Sequence, residues 1–110
     1  MDKSLTALAR HQLTLAQNAS SGRSSHTVYG GHQRVLRQTL IALAARQKLN
    51  EHENPGEATV QVLHGRVRLS TNDDISWEGS PGDLLIVPES PHTLEALEAA
   101  VVLLTVAKLP

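Results

Sequence analysis

Beyond residue 25 the apolar residues of this chain stop recurring every third or fourth position. They alternate instead, in short segments closed off by Gly, Pro, Asn or Asp. The segments fall at about 26–29, 34–45, 58–64, 66–70, 75–78, 84–87 and 99–107, and are rich in Val, Leu and Ile. In Val60-Gln61-Val62 and Val67-Arg68-Leu69 each polar residue stands between two apolar ones, which is what a sheet with one buried and one wet face requires. His64-Gly65 between them reads as a tight hairpin, and Asn72-Asp73-Asp74 as a second turn. The stretch RVLRQTLIALAAR also fits a helical period through Leu36, Leu40, Leu43 and Ala44. A strand is the better reading there because the chain around it is β. The pattern predicts an all-β barrel or sandwich.

One segment does not fit that pattern. From Ser4 to Asn18 the residues Leu5, Leu8, Ala9, Leu13, Leu15 and Ala16 recur at near-helical spacing, and Ser4 is placed to cap the first turn. The loop NASSGRSS ends the helix. Its polar face, with Arg10, His11 and Gln17, carries little charge, so the apolar stripe is expected to pack on the chain's own sheet or on a second subunit. The expected organisation is a helix and loop over 1–25 and one β-domain over 26–110, a size that buries a single core.

Composition narrows the function classes. Ten basic and eleven acidic side chains give a formal charge of −1 without a basic run, so no nucleic-acid partner is expected. No apolar run approaches the roughly 20 residues of a membrane span, and the polar start MDKSLTALARHQ does not read as a signal peptide. The absence of cysteine removes disulfides, thiolate catalysis and Cys-ligated zinc, and suits a cytoplasmic protein. With no Phe, Trp77 and Tyr29 are the only aromatic residues, so a pocket would lack the stacking platforms on which sugar rings and bases rest. Trp77 reads as barrel or interface packing, Arg66 and Arg68 as a solvated outer face, and Gln61 as an outer-sheet residue.

Two stretches carry a resemblance. EHENPGEATVQVLHG, from Glu51 to Gly65, follows the pattern G(x)5HxH(x)3-4E(x)6G with His52, Asn54, Pro55, Gly56 and Gly65 in register. GDLLIVPESPH, from Gly82 to His92, resembles G(x)5PxG(x)2H(x)3N but is one residue shorter between the second Gly position and the His; with that one-residue gap Pro88 and Pro91 frame a turn and His92 stands at the last ligand position. Over about 30–109 the chain resembles the small single-domain cupins of the RmlC-like superfamily. That resemblance implies a double-stranded β-helix, a jelly-roll barrel, here preceded by a short α-helix. The departures are Arg46 for the opening Gly, Asn54 for the second His, Ala58 for the Glu, Ser90 for the second Gly and Ala96 for the final Asn.

Of the four metal ligands the resemblance implies, His52 and His92 remain. On a strand, residues 52 and 54 share a face, so His52, Asn54 and His92 form the expected ligand pocket, a small polar spot inside an apolar barrel. Such a set binds a divalent metal weakly, because a tight transition-metal site wants three good donors and commonly a carboxylate. Glu57 and Glu53 neighbour the vacant positions but face the other way on a regular strand. The expected function is therefore a small-molecule-binding cupin with a degenerate metal site and no obligatory cofactor, paired as a homodimer as such cupins commonly are. The alternative is a metal-dependent cupin enzyme, an oxygenase or isomerase, with His52 and His92 as ligands and Asn54 or Glu57 completing the shell. A DNA-binding regulator has little support, since the residues before the barrel supply one helix and not a helix-turn-helix.

Overall fold

A computed structural model describes residues 3–51, 56–72 and 74–108. The chain opens with helix α1 (Leu5–Asn18), and nine strands follow: β1 (Arg23–Tyr29), β2 (Leu36–Leu43), β3 (Lys48–Glu51), β4 (Gly56–His64), β5 (Val67–Thr71), β6 (Ser76–Gly79), β7 (Leu84–Ile86), β8 (His92–Ala96) and β9 (Ala100–Lys108). They form two antiparallel sheets, one of five strands in the order β1-β2-β9-β4-β7 and one of four in the order β3-β8-β5-β6. The ambiguous RVLRQTLIALAAR stretch is a strand, paired along its length with β9.

The core lies between the sheets. Alternate residues of β9 (Ala100, Val102, Val106) and β4 (Ala58, Val60, Val62) meet Val67 and Leu69 of β5 and Leu94 and Ala96 of β8. The intervening residues of β2 and β9 are apolar too. Leu40, Ala42, Val101 and Leu103 are buried on the opposite face by Ala9 and Ala16 of α1, with Leu5, Leu8 and Leu13 packed around them. The helix covers the back of its own sheet, and the near-continuous apolar run AVVLLTVA of β9 follows from burial on both faces.

Local chemistry fixes the ends of these elements. Ser4 caps α1, its Oγ accepting from the Ala7 N–H at 3.2 Å. Ser24 Oγ donates to Gln12 O at 2.7 Å and ties the helix to β1. Within α1, Gln12 is buried while Leu15 is 44% exposed, the reverse of what the apolar count suggests.

The tight hairpin expected at His64-Gly65 is not formed. β4 pairs with β7 and β9 in one sheet and β5 with β6 and β8 in the other, so residues 64–66 cross between sheets. Gly65 still has a strict role. At φ +76°, a Cβ there would run into the backbone of Ala99 and Ala100 where the crossover passes the start of β9. The Asn72-Asp74 turn does join β5 to β6, closed by the Thr71 N–H on Ile75 O at 2.9 Å. β3 and β8 were not read from the sequence, and β1 begins at Arg23 rather than at His26.

Candidate ligand pocket

The Gly82-Asp83 pair, which matches the start of the second cupin pattern, fastens β7 to the five-stranded sheet that faces His92's own sheet. Asp83 Oδ2 accepts the Ser80 N–H at 2.8 Å and closes the β6–β7 turn. Its carbonyl accepts from Val62 N at 2.9 Å, while Gly82 N donates back to Val62 O at 2.9 Å. β7 is thereby pinned to β4. The chain then leaves the sheet at Val87, whose N–H donates to Ala58 O at 3.0 Å, and turns through Pro88 to Pro91 into β8.

His92 opens β8 and is buried, 8% exposed. It is not a loop residue on a rim. Its strand runs between β3 and β5, where His92 pairs with Glu51 on one side and Thr71 on the other. It shares the inward phase of Leu94 and Ala96. The ring Nδ1 lies 2.9 Å from Ser90 O. A carbonyl can only accept, so Nδ1 donates, and in the neutral ring Nε2 is the acceptor. Nε2 is then the atom left for a ligand's donor or a metal, the arrangement in which a second partner sets the tautomer of a functional histidine.

The other expected members of the pocket are His52 and Asn54, which lie outside the described residues. Ala58, which stands where the family pattern has its Glu, is buried on the inner face of β4 among Val60, Val87 and Val106. Its methyl leaves that part of the pocket without a negative charge. Glu57 is exposed on the opposite phase, paired with Ala107, and does not replace it. Among the described residues, no three His, Asp or Glu side chains cluster as a metal site would need. The described donors thus number one imidazole, and His52 and Asn54 lie outside the described residues.

Sequence reasoning passed over Arg37. It lies on β2 with the phase of Ile41 and Leu43, opposite Val106, and so belongs to the inner face. Counting by twos back from Leu43 would have found it. Of the outer residues read from sequence, Gln61 is exposed on the back of β4. Arg68 reaches Glu95 across β5–β8 at 3.8 Å, and Arg66 meets Glu78 at 2.6 Å. Trp77 lies opposite Leu69 on the edge strand and is 43% exposed.

No family sequence model matches this chain, and no curated protein sequence matches it. Solved structures do. A conserved protein of unknown function from Streptococcus pyogenes is 28% identical, with 84% of this chain and 79% of that one covered and a TM-score of 0.72. An RmlC-like cupin protein from Desulfovibrio desulfuricans is 24% identical over 77% of this chain and 81% of that one, with a TM-score of 0.66. A cupin superfamily protein from Desulfitobacterium hafniense, 17% identical, covers 88% and is covered over 87%, with a TM-score of 0.73. Two facing antiparallel sheets are what this chain has in common with those cupin structures, and by its fold it is similar to them.

Proposed function

We propose that the protein binds a small molecule at the His92 end of the space between its sheets, in the cytoplasm, and does so without needing a metal. The observation that carries this reading is the state of His92: buried, on the inner phase of β8, with Nδ1 bonded to Ser90 O and Nε2 without a hydrogen-bond partner among the described residues. A buried imidazole on the same inward phase as the core residues Leu94 and Ala96 has the make-up of a small-molecule site, a polar group on an apolar wall. His52 and Asn54 complete the polar spot in this reading. Ala58 argues against the metal-dependent alternative, since the charge-neutralising carboxylate is gone. The retained Nδ1-to-carbonyl bond is the one feature that favours it.

Elemental analysis of untagged protein offered iron, manganese, nickel and zinc decides between the two. About one metal per chain, lost in His92→Ala, supports the metalloenzyme; no metal above background, with a copurifying small molecule displaced by His92→Ala, supports the binding protein.

We infer further that two copies pair through the back of the five-stranded sheet. The helix covers the Leu40–Leu103 and Ala42–Val101 rungs and the neighbouring Val28 and Leu63. The rest of that face exposes Leu84 (58%) and Ile86 (69%) on the edge strand β7, beside Thr59 and Thr105. The same patch on two copies is self-complementary, as a two-fold contact requires. Light scattering on the wild type should give a dimer mass, and Ile86→Glu should give a folded monomer. A wild-type monomer rejects the pairing.

A further inference from the structure

We propose a second binding site, separate from His92, in the groove where the inner face of β1 and β2 runs out from under the four-stranded sheet; it would take a linear organic acid. β1 is an edge strand of the five-stranded sheet, beside β2. Its inward-phase residues Arg23, Ser25 and Thr27 pair with Leu43, Ile41 and Thr39 of β2, and Arg37 continues that phase beyond Thr39. These side chains line a groove of about 450 Å³ whose floor is Ile41, Leu104 and Leu49 of β3, all three partly buried members of the inner core.

The charges of this groove are unbalanced. Arg37 is half-buried on the inner face, and neither Arg37 nor Arg23 has an ion pair or side-chain hydrogen bond among the described residues. Among the described residues no carboxylate lines the groove. The chain as a whole is biased the same way: seven of the ten Lys and Arg lie in residues 1–48, with one acid, Asp2, while ten of the eleven acids follow them. The edge formed by α1, β1 and β2 is thus the basic side of a nearly neutral protein. A guanidinium taken partly out of water without an acceptor is unfavourable, and an anion corrects this with paired hydrogen bonds.

The layout defines the ligand. Arg23 stands level with Leu43, six residues along β2 from Arg37, a Cα separation of about 20 Å at roughly 3.3 Å per residue. Between them run hydroxyls on one wall and an apolar floor. A carboxylate on Arg37 with an alkyl chain along Ile41, Leu49 and Leu104 uses the near end. A second carboxylate directed toward Arg23 uses the far end. A compact anion such as inorganic phosphate uses neither the floor nor the span.

Calorimetry at low salt with suberate, octanoate and inorganic phosphate tests this on the intact chain. Suberate should bind at about millimolar Kd or tighter and more tightly than octanoate, with phosphate undetected. Arg37→Gln should weaken suberate about tenfold, the size of one charge-assisted pair. Arg23→Gln should erase the preference for suberate over octanoate and leave octanoate unchanged, and thermal unfolding of both variants reports whether they remain folded. No binding of suberate, equal binding of phosphate, or binding indifferent to both arginine changes overturns the inference. So does suberate binding that His92→Ala removes, a result that would support the pocket proposed above instead. Conversion of a dimer to a monomer by Arg37→Gln would also overturn it, since a second copy would then be the occupant.

Discussion

β9 and β5 lie in opposite sheets and send alternate residues into the same core, yet their other faces differ. On β9 the outward residues Val101 and Leu103 are buried by α1, and on β5 the outward residues Arg68 and Ser70 meet water and Glu95. One sheet is therefore covered front and back, and the other only in front. The difference teaches that the amphipathic helix is part of the fold's interior: it converts what would be an exposed sheet face into a second, smaller core.

The sharpest way to break that comparison is a charge on either face of one strand. Val101 and Val102 are adjacent on β9, both 1% exposed, one under the helix and one between the sheets. If the helix seals the outer face, Val101→Asp and Val102→Asp should both abolish folding, because each buries an unpaired carboxylate. Circular dichroism and solubility check this. A well-folded Val101→Asp with a destabilised Val102→Asp would show the outer face open to water.

The next effect is smaller but measures the helix interface directly. Leu40 is wholly buried against α1, and Leu69 is buried between the sheets. Both truncations to Ala should lose about 2–5 kcal/mol in urea unfolding, as buried Leu-to-Ala changes do. A loss at Leu40 well below that at Leu69 would mean the helix collapses into the cavity, and so packs less rigidly than the sheets do.

A third change works in the opposite direction. Gln12 is buried under α1, and its Oε1 is a buried acceptor with no hydrogen-bond partner among the described residues. Gln12→Leu, close in volume and without the orphaned atom, should raise stability by about 1 kcal/mol. Unchanged or lowered stability would mean that the amide has a partner in solution.

Much of this division was legible in the sequence. The two-residue period of β4 and β5 marked inner and outer faces, and the solid apolar run of β9 was read as a strand. What escaped has physical reasons. In Lys48-Leu49-Asn50-Glu51 only one residue is apolar, so β3 shows no alternation, and its strand state comes from pairing with β8. β8 begins with His92 and Thr93, which look like loop residues until the neighbours β3 and β5 bury one side of them. His64-Gly65 has hairpin chemistry, but the glycine serves a crossover whose partner strands are distant in sequence. Leu15 and Gln12 exchanged their expected burial because the helix turns its stripe by the position of the sheet beneath it, which no local period encodes. The inward His92 was readable from the Gly82–His92 pattern, whereas the inward Arg37 of the β1–β2 groove was hidden in a segment whose period was ambiguous.

The smallest expected effect lies on the uncovered back of the four-stranded sheet. Arg68 and Glu95 approach to 3.8 Å on neighbouring strands, each partly solvated, at 40% and 21% side-chain exposure. An ion pair in that setting is screened and is worth about 0.2–1 kcal/mol, and part of that is given up in ordering two long side chains. Arg68→Ala should therefore lower stability by no more than about 1 kcal/mol, and the loss should shrink as salt is raised to roughly 1 M, where the screening length falls to about 3 Å. Paired urea titrations at low and high salt, on wild type and Arg68→Ala, read this out. A loss of several kcal/mol that persists in high salt would mean the arginine stem packs on apolar surface. The four-stranded sheet would then have a covered back of its own, and the contrast with β9 would be one of degree.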